Sequence, residues 1–126
     1  VDKTERDYKD VDLTAEDIFA TEDIRTEKMY IPEWKGNVYI RQARGIDQDK
    51  FEKEFRGKDG VPNLMHSRAR LVASSLYKSN GERMFTDDQV IKLSNKSGAV
   101  LNRLVDKITE INNITEADLD KIAKNS

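Results

Sequence analysis

Cysteine is absent from the sequence, which removes disulfides, thiolate metal sites and cysteine nucleophiles together and leaves the fold to rest on packing alone. Histidine occurs once, as His66, so a Ser/His/Asp triad, a polyhistidine metal site and a two-histidine zinc helix are all short of residues. Long apolar runs are missing too: no stretch approaches the roughly 20 residues that span a bilayer. The first residues, 1–12, are charged rather than signal-like, so the protein is expected to be neither membrane-embedded nor exported. A glycine-rich phosphate loop is also lacking, because Gly57 and Gly60 lead into Val61-Pro62 and not into a lysine and a hydroxyl residue opening a helix. Charge of one sign does not accumulate: 22 Lys and Arg stand against 24 Asp and Glu, a net charge of −2. That balance gives no broad basic field for nucleic acid or anionic lipid.

What is present fits one domain. A chain of 126 residues buries roughly two-thirds of its unfolded surface, enough for a core without staples. The core is expected to be thin, since charged and hydrophobic residues each make up 37% and the mean hydropathy is −0.78. Val1 in place of methionine leads to the expectation that an initiator or longer leader precedes it. Residues 1–12 have no apolar period and read as a charged, disordered arm; 13–126 read as a single α+β domain.

Along that domain the local signals are specific. Thr14, followed by Glu16 and Asp17, reads as the cap of a short helix to about Ala20. Met29 and Ile31, then Val38 and Ile40, alternate with polar neighbours on either side of Pro32-Glu33-Trp34-Lys35-Gly36-Asn37, which predicts a β-hairpin near 26–42. Asp47 is placed to cap a helix near 47–57, with Ile46 packing on Phe51 as a staple. Gly57 to Pro62 reads as a hinge or loop. Leu64, Leu71, Val72, Ser75 and Leu76 share a helical face and predict a helix near 63–78. Asn80-Gly81 turns the chain, and Thr86 with Gln89 forms a capping box for a helix near 87–94, Phe85 stapling to Val90. The longest stripe, Val100, Leu101, Leu104, Val105, Ile108 and Ile111, predicts the anchoring helix near 95–112. A last short helix, near 116–124, is capped by Thr115 with Ile114 against Leu119. The fold class is therefore α+β, mainly α: an N-terminal β-hairpin packed on a bundle of about four to six helices.

Catalytic chemistry is hard to assemble from these parts. His66 has Arg68 and Arg70 nearby but no acidic residue to orient it, and reads as a rim histidine. The carboxylate pairs, Asp47 with Asp49, Asp87 with Asp88 and Glu116 with Asp118, sit at helix starts where the dipole favours them. The stretch from Asp47 to Glu54 lacks the glycine and ligand order of a calcium loop. Arg68, Arg70, Lys78, Arg83 and Lys92 are diluted by Glu82, Asp87 and Asp88, and read as a solvated face rather than a phosphate groove. No catalytic residue, metal or cofactor is expected. Trp34, in the hairpin turn, either folds back on the core or is displayed to a partner as a binding anchor.

The order of features is nonetheless distinctive. Ile24-Arg25-Thr26-Glu27 is followed by Ile31-Pro32-Glu33-Trp34-Lys35-Gly36-Asn37-Val38-Tyr39-Ile40-Arg41, by Phe51-Glu52, by Arg68-Ala69-Arg70-Leu71-Val72-Ala73-Ser74-Ser75-Leu76 and by Gly81-Glu82-Arg83-Met84-Phe85-Thr86-Asp87-Asp88. From about Leu13 to Lys124 the chain resembles the tail assembly chaperones of long-tailed bacteriophages and prophages. The family pattern often carries a second glycine after the tryptophan, where this chain has Lys35, so a different turn is expected.

The resemblance implies a non-enzymatic protein of the host cytoplasm, absent from the mature virion, that coats the tape measure protein and keeps it soluble until the tail tube forms. It also implies a frameshifted long form that recruits major tail (tube) protein, with Lys124-Asn125 as a slippage point. Docking in a helix-in-groove mode would use Trp34, Tyr39, Leu64, Met65, Arg68, Arg70, Leu71 and Leu76, the apolar ones reading as core first and interface second. Coating a long client needs many copies, so self-association through heterologous contacts is expected. The competing readings are a virion head-tail connector or tail completion protein and, further off, a DNA-binding regulator.

Overall fold

The computed structural model describes residues 10–56, 59 and 64–113. The chain separates into two units, Val1–Asp23 with Ile114–Ser126, and Ile24–Asn113. In the first unit, helix α1 (Ala15–Ala20) is held by the expected cap. The Thr14 hydroxyl accepts from the Asp17 N–H at 3.2 Å, and Asp17 accepts from the Thr14 N–H at 3.0 Å. The helix buries nothing, and its Ile18 and Phe19 are exposed. The predicted helix near 116–124, most of the N-terminal arm and nearly all of the Gly57–Pro62 loop lie outside the described residues.

In the second unit the alternating runs form the expected hairpin. Strand β1 (Thr26–Ile31) pairs antiparallel with β2 (Gly36–Arg41) from Thr26↔Arg41 to Ile31↔Gly36. A two-residue period puts Met29, Ile31, Val38 and Ile40 on the inner face and Lys28, Tyr30, Tyr39 and Arg41 on the outer one. The connection is a short 3-10 turn, Pro32–Trp34, closed by Lys35 at φ 56°. Lysine thus occupies the left-handed conformation that glycine takes without steric cost.

Four helices follow among the described residues of this unit: α2 (Gly45–Arg56), α3 (Ser67–Ser75), α4 (Val90–Ser94) and α5 (Gly98–Asn112). Helix α5 carries the expected stripe, with Val100, Leu101, Leu104, Ile108 and Ile111 buried and Val105 partly so. Its start is Ser97, whose hydroxyl accepts from the Val100 N–H at 3.4 Å, rather than a point near residue 95. The capping box at Thr86 and Gln89 forms as read, with the Thr86 N–H donating to Gln89 Oε1 at 3.0 Å. It opens a 3-10 turn, Asp87–Gln89, before α4 begins.

Two elements depart from the sequence reading. Helix α2 starts at Gly45, so Asp47 is its third residue and not its cap; from there it accepts the Arg44 N–H at 3.0 Å. The predicted helix near 63–78 is α3 alone. Its first turn is lost because His66 sits at φ 55°, outside helical geometry. Its last residues leave the helix at Leu76 (φ −92°, ψ 132°) to form strand β3 (Leu76–Tyr77), which pairs with Tyr39 and Ile40. The sheet is therefore three-stranded, in the order β1-β2-β3. Pairing beats helical continuation here because it satisfies the edge of β2 while keeping Leu76 in the core.

The core lies between the inner sheet face and helices α3, α4 and α5. Ile31, Val38 and Ile40 meet Ala69, Val72, Ala73 and Leu76, then Leu93 and the α5 stripe. Of the predicted face, Val72, Ser75 and Leu76 are buried and Leu71 partly so; Ala69 and Ala73 join them, while Leu64 is 65% exposed. Small residues on α3 let α5 approach closely. At the other end, Gln42 Nε2 donates to the Ile111 carbonyl and the Ala43 N–H to Asn112 Oδ1, both at 2.8 Å. These bonds tie the end of the hairpin to the end of α5.

Candidate docking groove

Helix α2 buries no residue. Its inner side instead faces α3, β3 and the Asp87–Gln89 turn across a groove of about 510 Å³. Ile46, Phe51, Ala73, Tyr77 and Val90 give it apolar walls; Arg44, Asp47, Lys50, Glu54, His66, Arg70, Arg83 and Asp87 give it a charged rim. Phe51 stacks on Phe55, ring centroids 6.3 Å apart, while Ile46 is 67% exposed and so is not clasped by Phe51 as a closed staple would be.

The rim is ion-paired. Arg44 grips Asp47 through Nε and Nη2, each at 3.0 Å, and that guanidinium holds the Asp47 carboxyl below the ordinary range. Lys50 Nζ lies 3.1 Å from Asp87, and Arg83 lies 3.3 Å from the same carboxylate. Lys50 first, then Arg83, lowers the Asp87 pKa. Arg70 Nε lies 4.0 Å from Glu54, and its Nη1 donates to the Met65 carbonyl. The charged Arg and Lys side chains of the rim are each paired with one of its carboxylates. Among the described residues no group of His, Asp and Glu is disposed to hold a metal ion, and no helix is long and apolar enough to cross a membrane.

The residues singled out by sequence do not share one surface. Arg70 lines the groove, and Leu64 and Met65 stand exposed just before α3. Arg68 points to α5, its Nε 2.6 Å from Asn102 Oδ1. Trp34 packs partly buried against the core, and Leu71 does likewise. Beside Trp34, Glu33 forms a two-pronged pair with Arg103 at 3.0 and 2.6 Å. Tyr39 lies on the outer sheet face. Leu76, expected as a docking residue, is fully buried and offers no surface, since its strand pairing turns it inward. Ile46, Phe51, Tyr77 and Val90 were not read as site residues. The apolar side of α2, with no place in the core, was the signal available for the first two.

The described residues of the second unit form a small α+β domain, a helix-and-sheet core with an apolar-walled groove beside it. Comparison with known proteins gives its family. Residues 18–124 match the sequence profile of the phage tail assembly chaperones, and the chain belongs to that family. Among solved structures it is similar to the tail assembly chaperone of bacteriophage HK97, with a TM-score of 0.58 and 15% identity over 92% of this chain and 100% of that one; the likeness is one of fold. No curated protein matches the chain. Family membership sets its partners among tail proteins in general.

Proposed function

We propose that this chaperone binds the tape measure protein, keeps it soluble and helps recruit tail tube subunits, acting without catalysis in the host cytoplasm and leaving before the virion is complete. The observation that carries the reading is the family match across 18–124, and the apolar walls of the groove beside α2 support it. A tape measure protein presents long helices with apolar stripes, and an apolar groove with an ion-paired rim takes such a stripe in the helix-in-groove mode. The exposed Leu64 and Met65, just before α3, add apolar surface for a long client.

The test is co-expression with the tape measure protein of the same genome, followed by gel filtration with light scattering. A soluble complex with several chaperone copies per tape measure chain is expected, and Ile46→Glu, at an exposed position in the groove wall, is expected to abolish it without unfolding the protein. An insoluble tape measure beside free wild-type monomer refutes the reading. Recovery of the chain from purified particles would instead make it a virion connector.

A further inference from the structure

The outer face of the sheet has a composition unlike the rest of the molecule. Lys28, Tyr39 and Tyr77 are register partners in one row across the three strands. Tyr30, 59% exposed, stands beside that row, and the Arg41 guanidinium lies over the Tyr77 ring, 5.3 Å from its centroid. The strand residues on this face include no carboxylate, in a chain where acids outnumber bases 24 to 22. Among the described residues neither Lys28 nor Arg41 is in an ion pair. The acid that feels Arg41, Asp47, is already gripped by Arg44. By contrast the inner-face Glu27 is 2.9 Å from Lys107.

We propose that this face, through Lys28, Tyr30, Tyr39 and Arg41, is a second docking surface for an acidic polypeptide segment, adjoining the groove at Tyr77, which lines both. Two cations without carboxylate partners supply the charge complementarity, phenol hydroxyls donate to carboxylates, and the tyrosine rings supply rigid contact area at low entropic cost. A nucleic acid is the poorer fit. Its affinity grows with the number of phosphates neutralised, and this face offers few cations on a chain of net charge −2. The proposal stands apart from the tape measure reading, because it rests on the composition and register of the sheet and not on the groove.

The experiment measures binding of fluorescent poly-L-glutamate of about 20 residues, and of oligothymidylate of equal length, to the full chain at low ionic strength, where surface charges are least screened. Poly-glutamate is expected to bind, and Lys28→Glu or Tyr30→Ala to weaken it about tenfold, as for contacts at the centre of a small interface. Lys92→Glu, the same charge change on helix α4, is the control and is expected to have less than about a twofold effect. Shifts of the backbone amides of 26–31 and 36–41 on titration would locate the contact. Absence of binding overturns the proposal. So does equal weakening by Lys28→Glu and Lys92→Glu, which would reduce the effect to net charge. Oligothymidylate binding as tightly, with the same sensitivity to Lys28, would overturn it in favour of a nucleic-acid surface.

Discussion

Leu64 and Leu76 are chemically identical and lie on one predicted helical face, yet the structure gives them opposite surroundings. Leu76 is 0% exposed where α3 passes into β3; Leu64 is 65% exposed. Truncating Leu76 to alanine removes buried methyl and methylene groups at about 0.8 kcal/mol each and leaves a cavity between Ile40 and the helices. Together these predict a loss of about 3–4 kcal/mol. Leu64→Ala removes atoms that are mostly in water already, so its cost is about 0.5 kcal/mol or less. Urea denaturation followed by the fluorescence of Trp34, the sole tryptophan, reads both. The Leu76 variant should melt roughly 10–20 °C lower, with the urea slope unchanged. Equal costs for the two variants, or a loss below about 1 kcal/mol at Leu76, would refute the strand pairing and the core as described.

Lys35→Gly, at φ 56°, should stabilise the protein by about 0.5–1 kcal/mol by relieving the left-handed residue; a lower urea midpoint would count against the turn geometry. Acid should loosen the hairpin. The Arg103 guanidinium holds the Glu33 carboxyl down to about 2, from 4.5. A depressed carboxylate contributes stability that is complete above its unfolded pKa and is lost as pH falls through its folded one. Melting temperature and Trp34 fluorescence should therefore fall between about pH 4.5 and 2, and Glu33→Gln should flatten part of that slope. Ala69→Leu, where Ala69 is 1% exposed, should cost about 1–3 kcal/mol by forcing α3 off α5; a neutral result in the same denaturation assay would mean that the helices do not pack closely there.

The parts legible in the sequence were those whose local and long-range demands agree. Alternation around Pro32 and Gly36 marked the hairpin, and spacing of three and four marked α5, because each burial period matches its own backbone geometry. Leu76-Tyr77 was misassigned because an apolar residue at helical spacing from Val72 looks the same whether the helix continues or a strand begins. The Asn80-Gly81 turn just beyond, across which Tyr77 bridges to Arg83, was the cue for a strand. Ala69 and Ala73 escaped notice as core because their small size carries no strong apolar signal, although that size is what brings α5 near. The groove was invisible for a different reason: it exists between elements, where Phe51 of α2 faces Tyr77 and Val90, and no periodicity within one segment encodes such a gap.

Helix α2 contributes nothing to the core, and its links to the rest of the second unit include the ion pairs Lys50 to Asp87 and Glu54 to Arg70. The exposed Lys50–Asp87 pair is worth about 0–1 kcal/mol, and with no residue of α2 buried in the core the helix is expected at the low end of local stability. Amide protons along 45–56 should consequently exchange with solvent far sooner than those of α5, and α2 exchanging only with global unfolding would contradict this. The groove then has one fixed wall and one compliant wall. Under the docking reading proposed above, such a jaw would adjust its width to successive client side chains of unequal bulk, a property that a rigid cleft of the same lining would not have.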